Sequence, residues 1–247
     1  AATQNDRPTF GFTVDDDAAT PECRFDTAPF GPCSAPRSHT PATALAEGSH
    51  MFEVRATDQA GNTSEPASRS FVVDRTAPSA PGLGASPEGE YVATRDIVFL
   101  IDPLEPDVRL ECQLDGSAFA ACGTTEERAG LAEGPHEFGA RAVDDAGNVS
   151  PRAAYRFMVD VAPPETKIVS GPPRRSSKRK PTFRFASSEQ GVTYECALEK
   201  APFSACESPF RAKVGKGRHQ FEVQAIDRAG NVDPEPAGYR FRVTDRR

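Results

Sequence analysis

Apolar and polar residues alternate along several short segments of the chain. The alternation is clear at Phe52, Val54 and Ala56, and again at Phe183 and Phe185. A period of two places every second side chain on the same face of an extended strand, so these segments are predicted to be half-buried β-strands. The 3.6-residue period of a helix is never sustained, and turn-forming residues recur about every 8 to 12 residues, as in antiparallel sandwiches. The predicted fold class is all-β.

One sequence pattern occurs three times. The copies include the runs LAEGSHMFEVRATDQAGN, LAEGPHEFGARAVDDAGN and VGKGRHQFEVQAIDRAGN. Their histidines, His50, His136 and His219, are separated by 86 and 83 residues. Repeats of this length indicate tandem units that each form a structural module. The pattern therefore predicts three domains, with the boundaries 1–78, 79–161 and 162–247.

The six cysteines form three pairs of equal spacing: Cys23 with Cys33, Cys112 with Cys122, and Cys196 with Cys206. Each pair encloses a hairpin signal, clearest at Asp115-Gly116, which would place the two cysteines opposite each other on paired strands. Six cysteines allow 15 connectivities, and the repeat favours the local one. A metal site is the alternative, but zinc ligands usually stand two to four residues apart. Disulfides indicate an oxidising compartment, so we expect an extracellular, secreted or cell-surface location.

The first copy shows the motif most fully. Leu45, Gly48 and His50 precede the alternating strand, Asp58-x-Ala-Gly-Asn62 follows it, and Phe-Val-Val-Asp74 comes before a proline. This pattern resembles bacterial immunoglobulin-like repeats, related in architecture to fibronectin type III modules, over nearly the whole chain. The resemblance implies three tandem immunoglobulin-like β-sandwich domains in an elongated array. It also implies a non-enzymatic stalk, spacer, adhesive or filament segment of a bacterial surface or secreted protein, with no cofactor.

The Asp-x-Ala-Gly-Asn run of each copy is predicted to form the hairpin between the last two strands. Glycine and asparagine tolerate positive φ, and the aspartate can accept turn amide hydrogens. A catalytic aspartate would need a partner acid, base or nucleophile, and none recurs with it. The turn residues are Asp58, Gly61, Asn62, Asp144, Gly147, Asn148, Asp227, Gly230 and Asn231. By the resemblance, His50, His136 and His219 occupy the place of a corner tyrosine and should hydrogen-bond the backbone there.

Charge is spread unevenly over the three copies. The chain has a net charge of −7, and the predicted domains carry −5, −9 and +7 in order. The third includes a basic run, formed by Arg174, Arg175, Lys178, Arg179 and Lys180. This run favours either binding of a polyanion or polysaccharide, or an exposed strand edge protected by charge against strand addition. No aromatic residues are interleaved with these charges, so a nucleic-acid partner is not expected.

Carboxylates are predicted to converge where one domain joins the next. The last strand of each domain should end beside the final hairpin of the following domain, and the linkers contain proline, which makes them short and stiff. The residues concerned are Asp74, Asp144, Asp145, Asp160 and Asp227. Calcium suits such oxygen ligands, and some adhesins that resemble this repeat carry calcium between domains. No dense Asp-x-Asp ligand loop lies at either junction, so we expect direct hydrogen bonds or salt bridges, for which Arg75 is available, with calcium as the alternative.

The copies differ at their start. The third opens with a strand-like segment at 165–171 and the second with one at 81–85, whereas the first begins seven residues before Pro8. The first copy is therefore predicted to lack most of its first strand, either because the sequence is cut from a longer array or because self-assembly with a neighbouring subunit fills this open edge. A surface receptor or a polysaccharide is the expected partner. No segment approaches the length of a membrane span, so no membrane insertion is expected.

Overall fold

The structure is a computed structural model that describes residues 1–245. The first repeat contains seven strands: β1 (Ala2–Thr3), β2 (Phe10–Gly11), β3 (Thr20–Phe25), β4 (Gly31–Pro32), β5 (Ser38–His39), β6 (Gly48–Thr57) and β7 (Ala67–Val73). The second contains eight: β8 (Gly82–Ser86), β9 (Tyr91–Val92), β10 (Ile97–Asp102), β11 (Arg109–Leu114), β12 (Ala120–Cys122), β13 (Thr125–Arg128), β14 (Gly134–Val143) and β15 (Ala153–Val159).

The third repeat also contains eight strands: β16 (Thr166–Ser170), β17 (Arg175–Ser176), β18 (Thr182–Ser187), β19 (Thr193–Leu198), β20 (Ser204–Cys206), β21 (Phe210–Arg211), β22 (Gly217–Ile226) and β23 (Ala237–Val243). The predicted all-β class is confirmed. Across residues 1–245, no helix has the length and apolar character that a membrane-crossing helix needs.

The chain divides into two compact units. Unit one comprises Ala1–Gly84, Leu100–Glu126 and Phe138–Tyr155, and unit two comprises Ala85–Phe99, Glu127–Glu137 and the described residues from Arg156 onward. The first repeat thus lies in unit one and the third in unit two, while the second contributes to both. The boundaries at 78 and 161, and the elongated arrangement of three domains, stay predictions.

The first repeat is a sandwich of two sheets. The larger sheet has the order β1-β7-β6-β3-β4, and the smaller pairs β2 with β5. Phe25, Phe52 and Phe71 of the larger sheet are buried. Phe10 of the smaller sheet stacks on Phe52 with ring centroids 4.9 Å apart. Alternation along β3, β6 and β7 places these rings on one face, and their burial holds the two sheets together.

The third repeat has the same plan with longer strands. Its larger sheet has the order β17-β23-β22-β19-β20, and its smaller sheet the order β16-β18-β21. Phe183 and Phe221 are fully buried and stack with centroids 4.1 Å apart. In the second repeat, β11 pairs with β12 and β14 inside unit one. Within unit two, β9 runs parallel to β15, as β17 does to β23 in the third repeat.

The first repeat begins with a strand that has counterparts in the other two repeats. Strand β1 runs parallel to β7, with Ala2 opposite Val72, and so corresponds to β9 and β17. The segment without a counterpart in the described residues is the one that forms β8 and β16. A groove of about 520 Å³, lined by residues that include Val14, Asp16 and Ala56, lies in the first repeat. Self-assembly through this edge stays a prediction.

Candidate functional site at the repeat junctions

The Asp-x-Ala-Gly-Asn run closes a tight turn directly after the long strand of each repeat. In the first, the Gly61 N–H donates to Asp58 O at 3.1 Å. The Asn62 backbone N–H donates to Asp58 Oδ1 and its side-chain amide donates to Asp58 Oδ2, both at 2.8 Å. Gly61 has a φ of 88°, which a side chain would strain. These hydrogen bonds hold the pKa of the Asp58 carboxyl below its usual value, and the bond from the Asn62 side-chain amide has the largest effect.

The same asparagine also binds the linker in the second and third repeats. Asn148 Nδ2 donates to Asp74 O at 3.0 Å, and Asn231 Nδ2 donates to Asp160 O at 2.7 Å. Each acceptor is the backbone carbonyl of the residue just after the last strand of the preceding repeat. One side chain therefore closes the turn of its own repeat and holds the end of the repeat before it.

Backbone carbonyls, rather than the predicted Arg75, are thus the linker partners of the two turns. Arg75 forms an ion pair inside its own repeat, with its NH1 atom 2.9 Å from Asp6 Oδ2. Its backbone N–H donates to Glu47 Oε1 at 2.8 Å. The guanidinium group is therefore committed to the first repeat.

A group of three carboxylates lies at the second junction. Oxygens of Asp160, Glu189 and Asp227 lie within 4.8 Å of one another, and among the described residues this is the group with metal-binding geometry. Burial and the charges of Asp160 and Asp227 raise the pKa of Glu189. These oxygens have the chemistry that calcium prefers, and calcium at this place stays a prediction. One sequence signal for the third carboxylate was available, because Glu105 and Glu189 occupy the same position in their repeats, 84 residues apart.

At the first junction, the glutamate equivalent to Glu189 is Glu105, and it is stabilised by hydrogen bonds. Glu105 Oε1 accepts the Ser79 backbone N–H at 2.7 Å, and the hydrogen bonds from Ser79 hold the pKa of Glu105 below its usual value. Glu165 stands in the third repeat where Ser79 stands in the second, 86 residues earlier. The predicted carboxylates Asp74, Asp144 and Asp145 are not members of the three-carboxylate group.

Each repeat histidine is the third residue of the long strand of its repeat, β6, β14 or β22. Ring Nε2 atoms lie 2.8 Å from Ala46 O for His50, 2.9 Å from Ala132 O for His136, and 3.0 Å from Gly215 O for His219. Sequence reasoning missed a second partner, the carboxylate at the turn of the cysteine hairpin. His50 Nδ1 lies 2.7 Å from Asp26 Oδ2, and His219 Nδ1 lies 2.6 Å from Glu199 Oε1. An acidic residue three positions after the first cysteine of each repeat was the available signal.

The remaining predicted residues are placed as follows. The structure contains the disulfides Cys23–Cys33, Cys112–Cys122 and Cys196–Cys206. The basic run is divided, because Arg174 and Arg175 line a groove on the third repeat, whereas Lys178, Arg179 and Lys180 follow β17 and do not line it.

Residues 1–75 match the family model described as bacterial Ig-like domain. The first repeat is therefore similar to a bacterial immunoglobulin-like domain. The other two Ig-like repeats share its sequence pattern, its turn and its disulfide. The predicted recognition of bacterial immunoglobulin-like repeats is confirmed.

The solved structures similar to this chain include two sets of fibronectin type III modules. The fibronectin(III)-like modules of Clostridium thermocellum CbhA are 17% identical, with a TM-score of 0.44, and the match covers 66% of this chain and 95% of theirs. The FN1–FN3 domains of chicken CNTN1 are 10% identical, with a TM-score of 0.42, and the match covers 98% of this chain and 95% of theirs. No curated protein matches the sequence.

Replacing Asn231 by Ala is expected to destabilise the third Ig-like repeat by about 1–2 kcal/mol, because a part-buried linker carbonyl loses its donor along with the turn. Asn62→Ala is the matched control, since Asn62 closes the same turn and is exposed. Denaturant unfolding followed by hydrogen exchange should show a larger loss for Asn231→Ala, with faster exchange at the linker around Asp160. Equal losses in the two variants would contradict a linker role.

Replacing Glu189 by Gln should raise the free energy of unfolding at pH 7 by up to about 1 kcal/mol, because it removes repulsion among three carboxylates. A carboxyl with a raised pKa contributes stability below its unfolded pKa and loses it as the pH rises through the folded pKa, so the gain should disappear below about pH 4.5. Thermal unfolding with chelator and with calcium checks this. Calcium-dependent stabilisation that Glu189→Gln abolishes would instead establish the calcium site.

The first Ig-like repeat should lose stability as the pH rises above 6.5. The hydrogen bond to Asp26 raises the pKa of His50, so the contribution of His50 is present below 6.5 and lost as the pH rises through the folded pKa. Burial lowers the pKa of His39 in the same repeat, which gives the opposite slope. The test is therefore the difference between the wild type and His50→Gln, which should shrink between about pH 6 and about pH 9. A difference independent of pH would refute it.

Proposed function

We propose that this chain is a non-enzymatic spacer segment of a bacterial secreted or cell-surface protein. The observation that carries the proposal is the side-chain amide of Asn148 and of Asn231, each bonded to the carbonyl that ends the preceding repeat. A spacer must keep neighbouring modules at a defined separation, and this requires linkers whose motion is restricted. Immunoglobulin-like domains are typically non-catalytic, which agrees with such a role.

The disulfides support the proposed location. Each repeat carries one, and small domains outside the cytoplasm commonly use disulfides to add stability that a small core does not supply. A segment exposed to proteases and mechanical load outside the cell benefits from repeats that resist local unfolding. Adhesion to a surface receptor would be an additional property of an exposed face and is not required for the spacer role.

Small-angle scattering of the full chain tests the spacer proposal. The wild type is expected to give a maximum dimension that fits three repeats joined end to end, unchanged between low and physiological salt. The double variant N148A/N231A should give a broader distance distribution, and N62A should match the wild type. A profile of one compact particle, or no difference between the double variant and N62A, would contradict the proposal.

A further inference from the structure

Five arginines border one groove on the outer face of the larger sheet of the third repeat. Arg242 of β23 lies directly opposite Arg175 of β17 on one side and Arg218 of β22 on the other. Neighbouring strands lie about 4.8 Å apart, so the three side chains form an evenly spaced row across three strands. Arg174 and Arg240 line the same cavity of about 490 Å³, here called the arginine groove.

None of these five arginines forms an ion pair with a carboxylate of residues 1–245. Arg174 donates to Arg240 O at 2.8 Å, and Arg240 Nε donates to Gln220 Oε1 at 3.3 Å. Glu199, the carboxylate of the groove, is engaged by His219. Like charges directly opposite each other on paired strands are destabilising. The row therefore costs stability in the absence of an anion.

The fold does not require arginine at these positions. In the first repeat, the same three-strand row consists of Ala2, Val72 and Ser49, with Val72 opposite both others. In the second, Tyr91 lies opposite Met158 on the corresponding parallel pair. The strands form with small and apolar side chains, so the arginines of the third repeat serve something other than sheet formation.

Outer-face arginines in the other repeats are neutralised. Arg55 lies 2.8 Å from Glu22 and stacks over Phe30 at 4.2 Å. Arg141 lies 2.7 Å from Glu111 and stacks over a phenylalanine ring at 4.0 Å. The arginines of the groove have no such carboxylate partner among residues 1–245, and the third repeat carries the net charge of +7.

We propose that the arginine groove binds a linear anionic polysaccharide through its carboxylate or sulfate groups. The guanidinium fork matches these groups in a bidentate geometry, and an evenly spaced row of arginines suits a polymer with regularly repeated charges. The disulfides favour a partner outside the cell. The aromatic side chains of the lining, Phe241 and His219, are largely buried and do not offer the exposed stacking faces typical of single-stranded nucleic-acid sites. The nearby Tyr239 ring lies under Arg174 at 4.5 Å.

The test measures binding of the full chain to dextran sulfate and to polygalacturonate by isothermal titration, with uncharged dextran as the blank. The triple variant R175A/R218S/R242V replaces each arginine of the row by the residue at the corresponding position of the first repeat. Because the first repeat forms the same strands with these residues, the variant should fold, and circular dichroism checks this. It is expected to lose about thirtyfold in affinity for at least one of the two polyanions. The loss should shrink as salt is raised, because exposed charges are screened.

The matched control R184S/R211S/K213S removes three exposed positive charges from elsewhere in the same repeat. It should change affinity by less than about threefold. Equal losses of affinity in the two triple variants would show a general effect of positive charge and would overturn the proposed binding in the groove. A larger loss in K178S/R179S/K180S would place binding on the linear basic run instead. No binding to either polymer, tighter binding to a DNA duplex, or salt-sensitive self-association seen by sedimentation would also overturn the proposal.

Discussion

Replacing Phe221 by Ala is expected to lower the free energy of unfolding of the third repeat by about 3–5 kcal/mol. Phe221 is fully buried on β22. Its ring stacks on Phe183 with centroids 4.1 Å apart and on Phe210 at 5.3 Å. These rings come from both sheets of the sandwich, so the substitution leaves a cavity where the two layers meet. Hydrogen exchange detected by mass spectrometry at increasing denaturant measures each repeat separately.

Phe52→Ala in the first repeat is the matched control, because Phe52 occupies the same strand position and is also buried. Each substitution should lower the stability of its own repeat only, as expected if the repeats unfold as separate cooperative units. Simultaneous destabilisation of the first and third repeats by Phe221→Ala would contradict the predicted division at 78 and 161.

Removal of the Cys23–Cys33 disulfide by the double substitution C23A/C33A should destabilise the first repeat by about 3 kcal/mol, the value that chain entropy predicts for a short closed loop. The disulfide joins Cys23 of β3 to Cys33, the residue directly after β4, and β4 has two residues. That pairing extends over Glu22–Pro32 and Cys23–Gly31. Few backbone hydrogen bonds therefore hold β4, and the covalent bond supplies most of the restraint.

Thermal unfolding with and without reductant checks this expectation. The double variant should melt at a lower temperature than the oxidised wild type and should not respond to reductant in its first repeat. The third repeat, with its own disulfide, is the internal control. A loss of less than about 1 kcal/mol would show that the strand pairing alone holds this hairpin.

Local chemistry explains why much of the architecture was predictable. The alternation around Phe52 and Phe221 is a property of neighbouring positions, so burial of one strand face follows from it directly. The pairing of Cys23 with Cys33 depends on a short hairpin and equal spacing in each copy. The turn from Asp58 to Asn62 is closed by residues four apart, which requires no knowledge of the rest of the fold.

Contacts between distant segments were predicted less completely. The sequence indicated that Asp160 and Asp227 approach each other, but it did not indicate Glu189, because that residue follows a different strand. It left calcium, salt bridges and direct hydrogen bonds open at the linker, and the structure shows a direct hydrogen bond from a turn amide to a backbone carbonyl. A backbone acceptor has no side-chain signature, so no pattern of residue types could have revealed it.

By itself, the sequence determined the all-β class, the three repeats, the cysteine pairs and the turn after each long strand, because all of these depend on residues close together in the chain or on a repeated spacing. Only the tertiary structure decided which side chains meet across strands. The row of Arg175, Arg242 and Arg218 joins positions up to 67 residues apart. Strand register, set by the pairing of three strands around a buried core, brings them together.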